Sequence, residues 1–244
     1  VVSKDEIPLS FMNRLSDGGH ITISTEEESI TDLKFKELNN QKGQFVFNVP
    51  SKIQSISLST LIMQFYSQLK IRRYNSQSNL ALLENDDEIE YANLVVLKNF
   101  TVSPQSFVTV NNLILNGSLF INTDSTLIVE DSIQFAKNSS IEISVSDPKV
   151  YQKNMPILSI GKGIENKPEK IVFIPNNYDA NVSLIKNNGM NCDDFIDFLF
   201  VRENGVDEPL NKTRCSASSG EIVISFYKVK EKKSKLSTGA IIGI

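Results

Sequence analysis

A chain of 244 residues, 40% of them hydrophobic, carries enough apolar material for one large core or two small ones. Its formal net charge of -4 and its lack of tryptophan provide no overall basic field for phosphate backbones, so nucleic acid is not an expected partner. Val1 opens the sequence without a charged-then-apolar leader, as expected of a chain that starts after a processed signal or inside a longer protein.

Residues 1–50 contain ITIST, a triple glutamate at Glu26 to Glu28, and GQFVFNV, which alternates as a strand does. They are expected to form an N-terminal cap, because a bare end of stacked strands would template aggregation. The only histidine, His20, follows Asp17-Gly18-Gly19 and reads as an exposed turn residue. A Ser/His/Asp or Cys/His mechanism would have to use it, yet no G-x-S-x-G or comparable nucleophile context accompanies it. LSTLIMQFYSQL, Leu58 to Leu69, has apolar residues on more than one helical face, so a helix and a strand pair are both open readings.

The clearest signal lies between Leu94 and Asp131. LVVLKNFTVSPQSFVTVNN and LILNGSLFINTDSTLIVED match at a shift of 19 residues. Leu94 falls on Leu113, Phe100 on Leu119, Val102 on Ile121, Ser106 on Ser125, Val108 on Leu127 and Val110 on Val129. IQFAKNSSIEISVSD, Ile133 to Asp147, reads as a third copy that keeps the opening and closing strands and is shorter between them. SKIQSISLS and QSNLALLEN read as degenerate upstream copies, separated from the clear ones by the acidic insert ENDDEIE. ISVSDPKV reads as the turn that ends the stack.

Period-two alternation marks strands with one buried face, and recurrence at a fixed length marks a unit that buries that face only by stacking on its copies. The expected fold is therefore mainly β: a short right-handed parallel β-helix of about 19-residue rungs over 51–147. An antiparallel β-sandwich, which also shows short alternating strands, is the alternative. A leucine-rich repeat fits less well, since Asn116 and Asn122 do not recur at matching sites.

Residues 148–227 change character, with Pro156, Pro168, Pro175 and Pro209 between isolated strands IVFIP, NVSLI, DFLFV and EIVISF. A C-terminal β cap is expected there. Its Cys192 and Cys215 are the only cysteines of the chain. In an exported protein they would form one disulfide worth about 3 kcal/mol by loop entropy; in a cytosolic one they would be free thiols. Neither belongs to a C-x-x-C pair, which favours the bridge. The last segment, 228–244, is a lysine-rich stem followed by STGAIIGI. It reads either as a frayed tail or as the start of a transmembrane helix that would continue beyond Ile244, since a span needs about 20 apolar residues.

The 19-residue rungs resemble those of filamentous-haemagglutinin-type adhesins. Rungs followed by a lysine-rich stem and STGAIIGI are similar to single-pass surface proteins of amoebozoan and other AT-rich protists. The resemblance covers Ser51 to Asp147 and the last fifteen residues, and it implies an extracellular, β-helical, adhesion-type protein at the plasma membrane.

Five N-x-[ST] sequons, at Asn99, Asn116, Asn138, Asn181 and Asn211, are glycosylation candidates in such a protein. Asn116, Asn138 and Asn211 fall in expected turns, Asn99 and Asn181 nearer to strands. Asp86, Asp87, Glu88 and Glu90 cluster in the insert, and Asp193, Asp194 and Asp197 follow Cys192. Both clusters read as solvated loops, lacking the ligand spacing of a calcium loop. One histidine and two distant cysteines do not make a zinc site, and no cofactor is expected. The expected function is non-catalytic contact with an extracellular protein or glycan. A carbohydrate-active enzyme on the same scaffold, needing two carboxylates about 5 to 9.5 Å apart, is one alternative. A structural surface-coat protein is the other.

Overall fold

Alternation of apolar and polar residues becomes strand along the whole described chain, and no α-helix occurs among the described residues. The computed structural model describes residues 19–22, 31–40, 43–64, 66–74, 92–147, 156–175, 179–186, 189–218 and 220–227. In chain order the first strands are β1 (Gly19–Thr22), β2 (Asp32–Asn40), β3 (Gln44–Pro50), β4 (Ser55–Met63), β5 (Gln68–Tyr74), β6 (Asn93–Val102) and β7 (Phe107–Val110). Next come β8 (Leu113–Leu115), β9 (Ser118–Asn122), β10 (Thr126–Val129), β11 (Ser132–Phe135), β12 (Ser140–Ser144), β13 (Leu158–Ile160), β14 (Gly163–Glu165), β15 (Lys170–Ile174) and β16 (Ala180–Lys186). The last are β17 (Leu199–Glu203), β18 (Val206–Pro209), β19 (Cys215–Ser218) and β20 (Glu221–Phe226).

Two sheets result. One is a nine-stranded sheet in the order β1-β3-β5-β7-β10-β13-β16-β20-β19. The other has eleven strands, in the order β14-β11-β8-β6-β9-β12-β15-β17-β18, with β4 beside β6 and β2 beside β4. In this second sheet β6 pairs through Leu94 to Val96 with β8 and through Asn99 to Val102 with β9, so one long strand faces two short ones. The break falls at Asn116-Gly117. A Cβ on Gly117 would lie 1.7 Å from the Lys98 carbonyl oxygen, so only glycine fits that close crossing.

Every pairing among β1 to β17 is parallel. Leu94 sits opposite Leu113, Phe100 opposite Leu119, Val102 opposite Ile121, Val108 opposite Leu127 and Val110 opposite Val129. The 19-residue shift read from the sequence is therefore the physical register. It extends into three columns of inward side chains. Leu33, Ile56, Leu94, Leu113 and Ile133 form one, and all five are at most 1% exposed. Leu38, Leu61, Phe100, Leu119, Ile141, Ile171 and Leu199 form the second. Phe45, Leu69, Val108, Leu127, Leu158 and Ile185 form the third. All belong to one hydrophobic core. Each such side chain contributes on the order of 1.5–3 kcal/mol by burial, which offsets the cost of ordering the strands that carry it.

A polar column accompanies them. Ser67, Ser106 and Ser125 are fully buried at successive turns. The Ser106 hydroxyl donates to the Gln64 carbonyl and lies 3.3 Å from the Ser67 hydroxyl, while the Ser125 hydroxyl donates to the Ser103 carbonyl at 2.8 Å. A serine oxygen reaches these carbonyls because the turns are tight, with Tyr66 and Gln105 at φ 59° and 60°. The hydroxyls add donors to carbonyls at these turns, and the Gln64 carbonyl also accepts from the Ser67 amide and hydroxyl.

Parallel pairing runs past both bounds drawn at 51 and 147. β2 and β3, in the segment expected to cap the N-terminus, pair with β4 and β5, while β13 to β17 continue the stack after Asp147. Four readings need correction. The third copy is not shortened: Ser140–Ser144 is not a closing strand but the partner of β9, and the strand that pairs with β10 is Leu158–Ile160. ISVSD does not end the stack, since β15 continues it. LSTLIMQFYSQL is neither a helix nor a strand pair: it supplies β4 and the start of β5, which lie in different sheets. His20 is part of β1, opposite Val46, rather than a turn residue. QSNLALLEN, the acidic insert with Asp86, Asp87, Glu88 and Glu90, the triple glutamate and residues 228–244 lie outside the described residues.

The C-terminal part reverses direction. β20 runs antiparallel to β16 and to β19, and β18 runs antiparallel to β17. Turning back covers the last parallel edge, whose unpaired amides would otherwise invite another chain.

Candidate functional site

An open groove of about 510 Å³ runs along the edge where β8, β11 and β14 turn toward β9, β12 and β15. Ile114, Asn116, Gln134, Phe135, Ala136, Lys137, Asn166 and Lys167 line it. It contains three carboxamides, two ammonium groups and apolar side chains, with no carboxylate among its described lining residues. The Lys167 ammonium lies over the Phe198 ring at 5.2 Å and the Phe195 ring at 5.7 Å, and it donates to the Asp194 carbonyl. A cation held on two rings keeps a fixed place at low entropic cost.

Carboxylates from different strands do meet, but elsewhere, and around a shared cation. Arg202 on β17 reaches across β15 to Glu142 on β12, with bonds of 3.0 and 3.2 Å, and also bonds Asp207 on β18 at 2.7 Å. Lys170 adds a 2.6 Å bond to Asp207. The hydrogen bond from Arg202, followed by that from Lys170, holds the Asp207 carboxyl down to about 2. Val172, on the strand that Arg202 crosses, is fully buried although it lies outside the core cluster. The Asp207 carboxylate is therefore a bound acceptor held ionised by two cationic partners.

Cys192 and Cys215 are joined, with Cα atoms 6.0 Å apart. The bridge ties a short 3-10 turn, Cys192–Asp194, to β19. Two of the three acidic residues after Cys192, Asp193 and Asp194, have structural uses. Asp194 accepts from the Asn191 amide at 2.9 Å in a capping box, and Asp193 pairs with Lys212. Among the described residues no three His, Cys, Asp or Glu side chains stand together as metal ligands.

All five sequon asparagines are exposed. Asn99 lies in β6 and Asn181 in β16; Asn116 and Asn138 lie in turns, and Asn211 caps the 3-10 turn Lys212–Arg214. Three of them converge. Asn99 is opposite Ser118, and Ser118 is opposite Ser140, the serines of the Asn116 and Asn138 sequons, whose hydroxyls are 3.1 Å apart. The groove and the Arg202 cluster were not singled out from the sequence. Their members are brought together by strand register, and only the match at 19 residues carried any trace of it. Among the described residues no helix is long and apolar enough to cross a membrane. No protein-family model, curated protein or solved structure matches this chain.

Proposed function

We propose that the three inward columns are the three sides of a short right-handed parallel β-helix, and that the chain is a non-catalytic ectodomain acting by contact at the outer face of the plasma membrane. The parallel register, with like residues over like residues, is the observation that carries the reading. A stack of this kind buries its aliphatics inside and leaves long outer sides for a protein or glycan ligand. Right-handedness follows the general preference of parallel crossover connections. An antiparallel sandwich accounts for β18 to β20 but gives no reason for a repeat of 19 residues in parallel register.

The tied carboxylates favour contact over the carbohydrate-active alternative. Asp207 and Glu142 share Arg202, and the groove has no acid to donate a proton. The disulfide suits an oxidising compartment. The membrane anchor would lie beyond Ile244, and a surface-coat role remains the third reading. Purified chain displayed on a glycan array and on intact cells tests the proposal. Saturable binding without release of new reducing ends from a polysaccharide panel is expected. Cleavage of any polysaccharide would establish the enzyme instead.

A further inference from the structure

We infer that the groove beside Asn116 is the seat of an N-linked oligosaccharide carried by Asn116 itself, so that this edge of the molecule is lined by its own sugar. The inference rests on the exported-glycoprotein reading above and adds which sequon is special and why. Asn116 is the only sequon asparagine among the groove's lining residues. Its backbone is pinned: the Asn116 amide donates to the Val96 carbonyl at 2.9 Å, Gly117 is pressed against Lys98, and the Gly117 carbonyl accepts from the Ser140 amide at 3.3 Å. Asn116 is exposed and lines the groove, so a sugar on its carboxamide starts at the groove wall. Among the described residues its carboxamide has no hydrogen-bond partner. Those of Asn181 and Asn211 are engaged, by the Ser225 hydroxyl at 2.8 Å and by the Thr213 amide at 3.0 Å.

The lining has the chemistry that the first sugars of such a chain require. The amides of Gln134 and Asn166 and the ammonium of Lys137 offer donors to hydroxyl and acetamido oxygens. Ile114 and Ala136 offer an apolar bed for the C–H face of a pyranose ring. A volume of about 510 Å³ falls within the range of about 300–1,000 Å³ typical of small-ligand sites. Asn99 and Asn138 belong to neighbouring strands or turns of the same edge but are not among the groove's lining residues, so the seat holds one oligosaccharide.

The chain secreted from a eukaryotic host, mapped by glycopeptide mass spectrometry and then treated natively with a peptide:N-glycosidase, tests this. The Asn116 sugar is expected to be released about tenfold or more slowly than the Asn211 sugar, because cleavage requires local opening, and the difference should vanish after denaturation. A Gln134→Ala, Lys137→Ala double variant, altering two side chains at the protein surface, should bring the Asn116 rate toward that of Asn211 at unchanged Tm. Sugar at other sequons with Asn116 bare overturns the inference alone. Sugar on Asn116 released as fast as from Asn211 overturns the seat. A chain bare at all five sequons overturns the exported-glycoprotein reading beneath it.

Discussion

The segment from Ala92 to Phe135 and the segment from Gly189 to Tyr227 are built on different principles. In the first, contacts are redundant: an aliphatic sits on an aliphatic one strand away, and each serine hydroxyl occupies the same place as the next. In the second, the fastenings are of different kinds and do not recur at a fixed interval. One disulfide, one guanidinium shared by two carboxylates, two 3-10 turns beside Cys192 and three antiparallel pairings hold it. Stacked units draw stability from neighbours on both sides, whereas a terminal unit has one neighbour and needs specific fastenings.

Substitutions separate the two regimes. The largest effect is expected in the repeat: Phe100→Ala, at a fully buried ring packed between β4 and β9, should lose about 3–5 kcal/mol in urea unfolding. A loss below about 1 kcal/mol would mean that the columns are not tightly packed. Next comes the bridge. Cys192→Ser with Cys215→Ser should cost about 3 kcal/mol, and hydrogen exchange should rise at β17 to β20 while β6 to β10 stay protected. Uniform exchange across both regions would show one cooperative unit and erase the distinction.

Ser106→Ala should cost about 1 kcal/mol, since it removes one of the donors to the half-buried Gln64 carbonyl and breaks the serine column at its centre. Smallest is Arg202→Met, at about 0.5–1 kcal/mol for a partly exposed ion cluster near neutral pH. Its signature is the pH dependence. Asp207 is held down from 3.8 to about 2, so its contribution is complete above pH 3.8 and disappears as pH falls through about 2. Urea midpoints measured at neutral pH and near pH 2 should differ less in the variant than in the parent chain. An unchanged difference would remove Arg202 as the cause.

Legibility in the sequence follows the same divide. The unit from Leu94 to Asp131 is plain because its two copies have equal length, so the physical register and the textual shift coincide. Elsewhere the strands also pair in parallel, but the connections differ in length, and β4 shifts register against β6 between Leu58 and Thr60. Ile56 meets Leu94 and Ile133 meets Ile164, with intervals unlike 19, and no fixed shift reveals them. Ile133 to Asp147 looks like a shortened copy for a related reason: a buried serine before an alternating strand occurs at two kinds of turn, at Ser106 and Ser125 and again at Ser139, where its hydroxyl donates to the Ala136 carbonyl. Antiparallel return is silent, because EIVISF alternates identically whichever way its partner runs. The disulfide could be read because only two cysteines exist, and the sequon turns because Asn, Gly and Ser punctuate them. Arg202 and Glu142, 60 positions apart, carried no signal.

Since Leu94–Asn112 and Leu113–Asp131 present like atoms above and below, a duplicate of either could be spliced in at the 112/113 boundary with few other residues changed. In the β-helix proposed above, such an insertion would add one strand spacing, about 4.8 Å, between the flanking strands. On that reading, the distance between the strands on either side of the boundary would change only in whole copies of the unit.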